Sequence, residues 1–174
     1  MKVWDVASGK LLLTYSGHLH YVNAVAWSND GTRIASGGGD ATAQVWDPGT
    51  RNTLTTYGGH AGDILALSWS PTDARIVSAS KDTSAQVWDA SSSERYIYYT
   101  DHTNYVTPWR GRPMGRALLQ EAWITVKVWG AASGNTLKTY SGHSDQVQSV
   151  AWSPDSTRIA SASNDGTVQI WQAT

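Results

Sequence analysis

The chain contains no cysteine, which removes a disulfide scaffold and thiolate metal sites from consideration. It contains no phenylalanine either, an absence no core requires and one that marks a single ancestral segment copied several times. Charge of one sign is also missing. The 13 basic and 14 acidic side chains leave −1 overall, so there is no electrostatic case for a nucleic-acid or membrane partner. No apolar run approaches the roughly 20 residues that span a bilayer. No basic-then-apolar leader precedes Val3-Trp4, and the expected location is the cytoplasm. Aromatic residues are plentiful: 10 tryptophans and 8 tyrosines can build a core and argue against disorder.

Those aromatics are periodic. Val3-Trp4, Val45-Trp46, Val87-Trp88, Val128-Trp129 and Ile170-Trp171 follow one another at tryptophan intervals of 42, 42, 41 and 42 residues. Gly17-His18, Gly59-His60, Asp101-His102 and Gly142-His143 keep the same beat. Within residues 21–58, short runs rich in Val, Ala, Thr and Trp alternate with turn residues. Val22 to Trp27 reads as a strand buried on both faces, and Ser28-Asn29-Asp30-Gly31 as a turn. Thr32 to Ser36 is a second strand, Gly37 to Asp40 a tight connection, and Thr42 to Trp46 a third strand. Leu54 to Tyr57 is the fourth. A four-stranded antiparallel unit repeated at a period near 40 cannot bury its faces alone and must stack on its neighbours.

With Gly-His, Trp-Ser-Pro, Ser-x-x-x-Asp and Val-Trp-Asp recurring in that order, the chain resembles the Trp-Asp (WD) repeat family over essentially its whole length. The resemblance implies an all-β propeller of four-stranded antiparallel blades, about four per chain. It also implies a hydrogen-bonded structural tetrad in each blade. Carried over by position, the tetrads are His18, Ser36, Asp40 and Trp46; His60, Ser78, Asp82 and Trp88; and His143, Ser161, Asp165 and Trp171. Serine, histidine and aspartate also raise the question of a nucleophile, a base and an orienting group. Identical spacing in three blades argues against it, since an active site is usually single, and a tryptophan N–H suits a structural network. No catalytic, cofactor-binding or metal-ligating residue is assigned, and no enzyme is expected.

The domain reading is a single propeller or half-propeller, residues 1–174. Residues 2–16 are stub strands completing another blade. Residues 21–58 and 63–100 are blades, 105–141 a disrupted blade, and 147–171 an incomplete last blade. From Pro108 to Ile124 the repeat disappears. Read from the third base of the Pro108 codon, the shifted frame permits Val-Ala-Trp-Ser-Pro-Asp-Gly-Thr-Arg-Ile-Ala-Ser-Gly-Ser-x-Asp, which parallels Val25 to Asp40. Our reading is a frameshift restored before Thr125, with a net loss of three bases. The coding sequence tests it: codons that cannot spell the repeat in that frame sink the idea. In the frame as it stands, Arg116 to Trp123 is composed of helix formers, with Leu118/Ala122 and Leu119/Trp123 spaced i, i+4, and a short helix is expected there. Gly111, Pro113 and Gly115 predict irregular chain before it, and Arg110, Arg112 and Arg116 read as scattered charge on a solvated loop.

The chain starts and stops out of phase with a blade. The fourth strand Leu11-Leu12-Leu13-Thr14-Tyr15 has no blade of its own, and the last blade has no fourth strand. An unpaired sheet edge is avoided in natural proteins. Leu11, Leu12, Leu13 and Tyr15 are therefore the expected assembly residues, and a homodimer closing an eight-bladed ring by N-terminal strand exchange is the favoured reading. A four-bladed ring and a fragment of a longer propeller remain open.

For function, the resemblance implies a protein-interaction scaffold whose partner is a protein or peptide. The loops before each first strand and after each second strand hold His20, Tyr21, Lys81, Asn104, Tyr105, Asp145 and Asn164 as partner-binding candidates. A second reading is a self-assembling module without a dedicated partner, or a fragment of a larger signalling or sensor propeller. A third, an enzyme on a propeller scaffold, would need a non-repeated polar cluster that the sequence does not offer.

Overall fold

A computed structural model describes residues 1–100 and 118–173, with the side chains of residues 118–122 outside that description. The described residues form sixteen strands. Strands β1 (Lys2–Trp4) and β2 (Leu11–Thr14) make a two-stranded sheet. The first full blade is β3 (Val22–Trp27), β4 (Ile34–Gly38), β5 (Ala43–Trp46) and β6 (Thr53–Tyr57). The second is β7 (Ile64–Trp69), β8 (Arg75–Ser80), β9 (Ala85–Asp89) and β10 (Arg95–Tyr99). Three-stranded sheets follow: β11 (Leu118–Ala122), β12 (Thr125–Trp129), β13 (Thr136–Tyr140), then β14 (Val147–Trp152), β15 (Arg158–Ser163), β16 (Val168–Gln172). Every pairing is antiparallel between sequence neighbours, the meander that Gly, Asp and Ser turns impose.

The core is a series of seams between blades rather than one centre. Ala35, Ala43, Val45 and Tyr57 of the first blade pack on Ile64, Leu67, Ile76 and Trp88 of the second. Trp129 packs into the second blade, and Val126 and Val128 pack on Val147, Val150, Ile159 and Trp171. Gly37 and Gly38, expected in a turn, continue β4. The Gly37 position is crowded by the next blade, since an added Cβ would lie 2.5 Å from Ile64 Cγ2.

Two expectations are corrected. Residues 118–122 are strand β11, not a helix, and run antiparallel to β12 with Leu118 opposite Trp129 and Gln120 opposite Lys127. Helix propensity differs by only tenths of a kcal/mol per residue among these types, whereas the open edge of β12 offers a ladder of hydrogen bonds. Trp123 and Ile124 form the turn, with Trp123 at φ 45°. Strand β3, expected to be buried on both faces, half-buries Val22, Ala24 and Ala26 on one and exposes Asn23, Val25 and Trp27 on the other. The predicted irregular chain before β11 and its arginines lie outside the described residues.

Candidate functional site

Each intact blade carries one buried polar constellation at its loop end. In the first, His18 Nδ1 lies 2.9 Å from Asp40 Oδ2, His18 Nε2 lies 2.8 Å from Ser36 Oγ, and Trp46 Nε1 donates to Ser36 Oγ at 3.3 Å. The second repeats it: His60 to Asp82 at 2.8 Å, His60 to Ser78 at 2.8 Å, and Trp88 to Ser78 at 3.1 Å. In the last blade His143 meets Asp165 and Ser161 at 2.8 Å each, and Trp171 donates to Ser161 at 3.2 Å. The structure thus brings all twelve residues together as three tetrads. The carboxylate can only accept, so in the neutral imidazole Nδ1 carries the proton and Nε2 accepts from the serine hydroxyl, whose oxygen in turn accepts from the tryptophan N–H.

The aspartate ties two loops to the histidine. Asp40 accepts from the Leu19 amide at 3.0 Å and from Thr42 Oγ1 at 2.9 Å. Asp82 accepts from the Ala61 amide at 2.9 Å and Ser84 Oγ at 2.7 Å, and Asp165 from the Ser144 amide at 3.1 Å and Thr167 Oγ1 at 2.6 Å. Burial by itself would raise the Asp40 and Asp82 carboxyls, but these donors together hold both below the ordinary carboxylate value. For Asp165 the Thr167 hydroxyl is the largest influence, and its pKa is also lowered. Burial lowers the His60 pKa against the opposing pull of Asp82. The serine hydroxyls of all three sets are shut away from solvent.

Sequence reasoning missed a second repeated network. Tyr15, Tyr57, Tyr99 and Tyr140, each on or just after an outermost strand, stack on Trp46, Trp88, Trp129 and Trp171 of the following blade at centroid distances of 4.3, 4.7, 5.0 and 4.5 Å. The Tyr15 hydroxyl donates to Gln44 Oε1 at 2.7 Å, and Tyr57 and Tyr140 donate likewise to Gln86 and Gln169. Those glutamines return a hydrogen bond to the carbonyls of Gly17, Gly59 and Gly142 at 3.1–3.2 Å. The signal was present in the sequence, since glutamine stands two residues before tryptophan in each intact blade.

The disrupted blade keeps the stack and lacks the tetrad. Trp129 is buried, yet its Nε1 has no hydrogen-bond partner among the described residues. By register Gln120 occupies the position of Ser36, and Lys127 that of Gln44. Its histidine, His102, lies outside the described residues.

Of the partner-binding candidates, Tyr21 and Lys81 meet through a residue the sequence reading did not name. Asp63 Oδ2 accepts from the Tyr21 hydroxyl at 2.6 Å and pairs with Lys81 Nζ at 2.7 Å, bridging the first and second blades. His20 stacks edge-on against Tyr21 at 5.9 Å. Asp145 and Asn164 stand at the same end of the last blade, where the Asp145 carbonyl accepts from Ser163 and the Asn164 amide donates to Gln146. Asn104 and Tyr105 lie outside the described residues. Among the assembly residues, Leu13 and Tyr15 pack on Ile34 and Trp46 while Leu11 and Leu12 are exposed. Within the single chain β2 pairs with β1, not with β16. No helix among the described residues is long and apolar enough to cross a membrane.

Known proteins are similar to this chain in sequence and in fold. The chain is 40% identical over 182 residues to the small ribosomal subunit protein RACK1 of Caenorhabditis elegans, covering 97% of this chain and 56% of that protein. It is 32% identical over 75 residues to human coronin-7, covering 42% of this chain and 8% of that one. It therefore spans about half of one relative and a small part of the other. Among solved structures, the computationally designed Ika8 protein superposes with a TM-score of 0.86 at 28% identity, over 98% of this chain and 52% of that one. The designed Ika4 protein gives 0.84 at 27% identity, over 95% of this chain and 99% of that one. The family model described as WD domain, G-beta repeat matches residues 9–47, 51–89 and 134–172, leaving out the stretch that holds the disrupted unit. Each match runs from an outermost strand through the next blade's third-strand tryptophan, and on these three matches the chain belongs to the WD-repeat family.

Proposed function

We propose that this chain is a non-catalytic protein-interaction scaffold that assembles with itself, two copies closing one eight-bladed ring. The observation that carries the reading is a pair of open apolar faces. Val25 and Trp27 on the leading face of the first blade are 61% and 50% exposed, whereas Leu67, the counterpart of Val25 in the second blade, is 8% exposed. On the trailing face of the last blade Val168 and Ile170 are 69% and 68% exposed, against 0% for their counterparts Ala43 and Val45. Inside the chain a trailing face covers each leading face, so the two open faces are the halves of one more seam. In the single chain they do not cover each other, which favours two chains over a four-bladed ring. A two-fold axis makes the seam twice and leaves no edge. The designed relatives fit: one chain matches nearly end to end, and another holds this fold in half its length.

Burial of Ser36, Ser78 and Ser161 supports the non-catalytic reading, since no substrate reaches a nucleophile closed off by its own blade. The partner surface we favour is the loop end carrying His20, Tyr21, Asp63 and Lys81. Coverage of only 56% of RACK1 supports a second reading, half of a longer propeller, in which further repeats of the same polypeptide cover the open faces. Light scattering behind size exclusion tests the first: a mass near twice 18.8 kDa, stable on dilution, is expected, and a monomer overturns it. Replacing Tyr21 by alanine should reduce recovery of a bound protein; unchanged recovery removes that face.

A further inference from the structure

Strand β1 corresponds to the third strand of a blade, and among the described residues it pairs with β2 alone. Met1, Lys2, Val3 and Trp4 stand one repeat before Ala43, Gln44, Val45 and Trp46. Its register on β2 is that of β5 on β6: Lys2 faces Thr14 and Val3 faces Leu13, as Gln44 faces Thr56 and Val45 faces Thr55. The last blade ends in another third strand, β16, which among the described residues pairs with β15 alone and has no fourth strand beside it. The chain thus holds two third strands that need the same partner, and one β2.

We propose that β1 is an intramolecular competitor of assembly, occupying the place on β2 that β16 of a second copy takes when the ring closes. The inference rests on the two-chain ring. In that ring Gln169 faces Thr14 and Ile170 faces Leu13, and Val168 and Ile170 lie over Ile34 and Trp46. Met1 and Val3 pack against that same cluster in the single chain. Strand β2 need not move, because Tyr15 already stacks on Trp46 in the manner of Tyr57 on Trp88. Only one strand can hold this edge of β2. The two occupants are unequal. Strand β1 belongs to a two-stranded sheet that covers Ile34 and Trp46 and leaves Val25 and Trp27 open. Strand β16 arrives with β14 and β15, whose side chains reach the remaining half of the face. Assembly is therefore favoured once β1 has left, and the apparent dissociation constant is the intrinsic one divided by the fraction of chains in which β1 is undocked.

The absence of cysteine allows a clean lock. Met1 and Tyr15 exchange two backbone hydrogen bonds, of 2.6 and 2.8 Å. Lys2 and Thr14 are then the adjacent non-hydrogen-bonded pair, where a Cα separation of about 4.5 Å suits a disulfide. Both side chains face solvent. In the double variant Lys2→Cys/Thr14→Cys, light scattering should give near twice the 18.8 kDa chain mass when reduced and the single-chain mass when oxidised. An oxidised chain that dimerises as tightly as the reduced one overturns the competition and leaves the ring standing. Single-chain mass in both states and in the unmodified protein overturns the ring, and the competition with it. Val3→Asp is a second arm that needs no oxidation. Loosening β1 should lower the dimer dissociation constant severalfold, and a raised constant would mean that β1 is only a structural strand.

Discussion

Ser78→Ala is the sharpest test of the tetrad. Ser78 Oγ is the acceptor for Trp88 Nε1 at 3.1 Å and the partner of His60 Nε2 at 2.8 Å. Both partners are buried, and the alanine leaves neither with a replacement at that point. Each buried polar group left unsatisfied costs about 1–3 kcal/mol, and the lost hydroxyl leaves almost no cavity. The expected destabilisation is therefore about 2–4 kcal/mol, a large part of the stability of any single domain. With a urea m-value of about 2 kcal/mol/M, the midpoint should fall by roughly 1–2 M. Equilibrium unfolding followed by tryptophan fluorescence reads it, at fixed protein concentration because assembly contributes to stability. Ser78→Ala should also cost less in a Trp88→Phe background, where no indole N–H remains to be orphaned. A loss under about 0.5 kcal/mol, or strict additivity of the two changes, would refute the account.

Three further outcomes are expected. Ile170→Asp places a charge in the proposed seam. A loss of about 3 kcal/mol raises the dimer dissociation constant by at least roughly 100-fold, which sedimentation velocity detects and an unchanged constant contradicts. Stability should decline as the medium is acidified. Burial holds His60 below its ordinary 6.5, so the unfolded chain binds the extra proton, and this contribution is present above 6.5 and lost as pH falls below it. Asp40 and Asp82 sit below 3.8, so theirs is present above that value and lost as pH falls through it toward the folded pKa. Urea midpoints taken from pH 8 down to pH 3 should follow that shape, and a maximum near pH 5 would contradict it. Gln120→Ser puts a hydroxyl at the register position of Ser36, the residue that accepts from the Trp46 indole in the first blade, while the Trp129 indole has no hydrogen-bond partner among the described residues. A gain of about 0.5–1.5 kcal/mol is expected from one new hydrogen bond, and a loss in thermal melting counts against the register argument.

The repeat period, the strand order and the spacing of the tetrads were all legible in the residues, because each depends on short patterns recurring at a constant interval. His60, Ser78, Asp82 and Trp88 stand at separations that one four-stranded meander brings together whatever surrounds it. Tertiary structure decided what depends on a neighbour. Residues 118–122 have helix-forming composition and are a strand, because the edge of β12 satisfies more backbone groups than an isolated turn of helix. Val25 and Leu67 are equivalent in sequence and opposite in exposure, because only the second has a blade in front of it. The stacking of each tyrosine on the next blade's tryptophan also joins two units, and no pattern inside one unit announces it. A repeat specifies its own blade, since its contacts are local in sequence. Which strand pairs with β2, and what covers the two open faces, belong to pairings across the chain or between chains, where several equivalent partners compete.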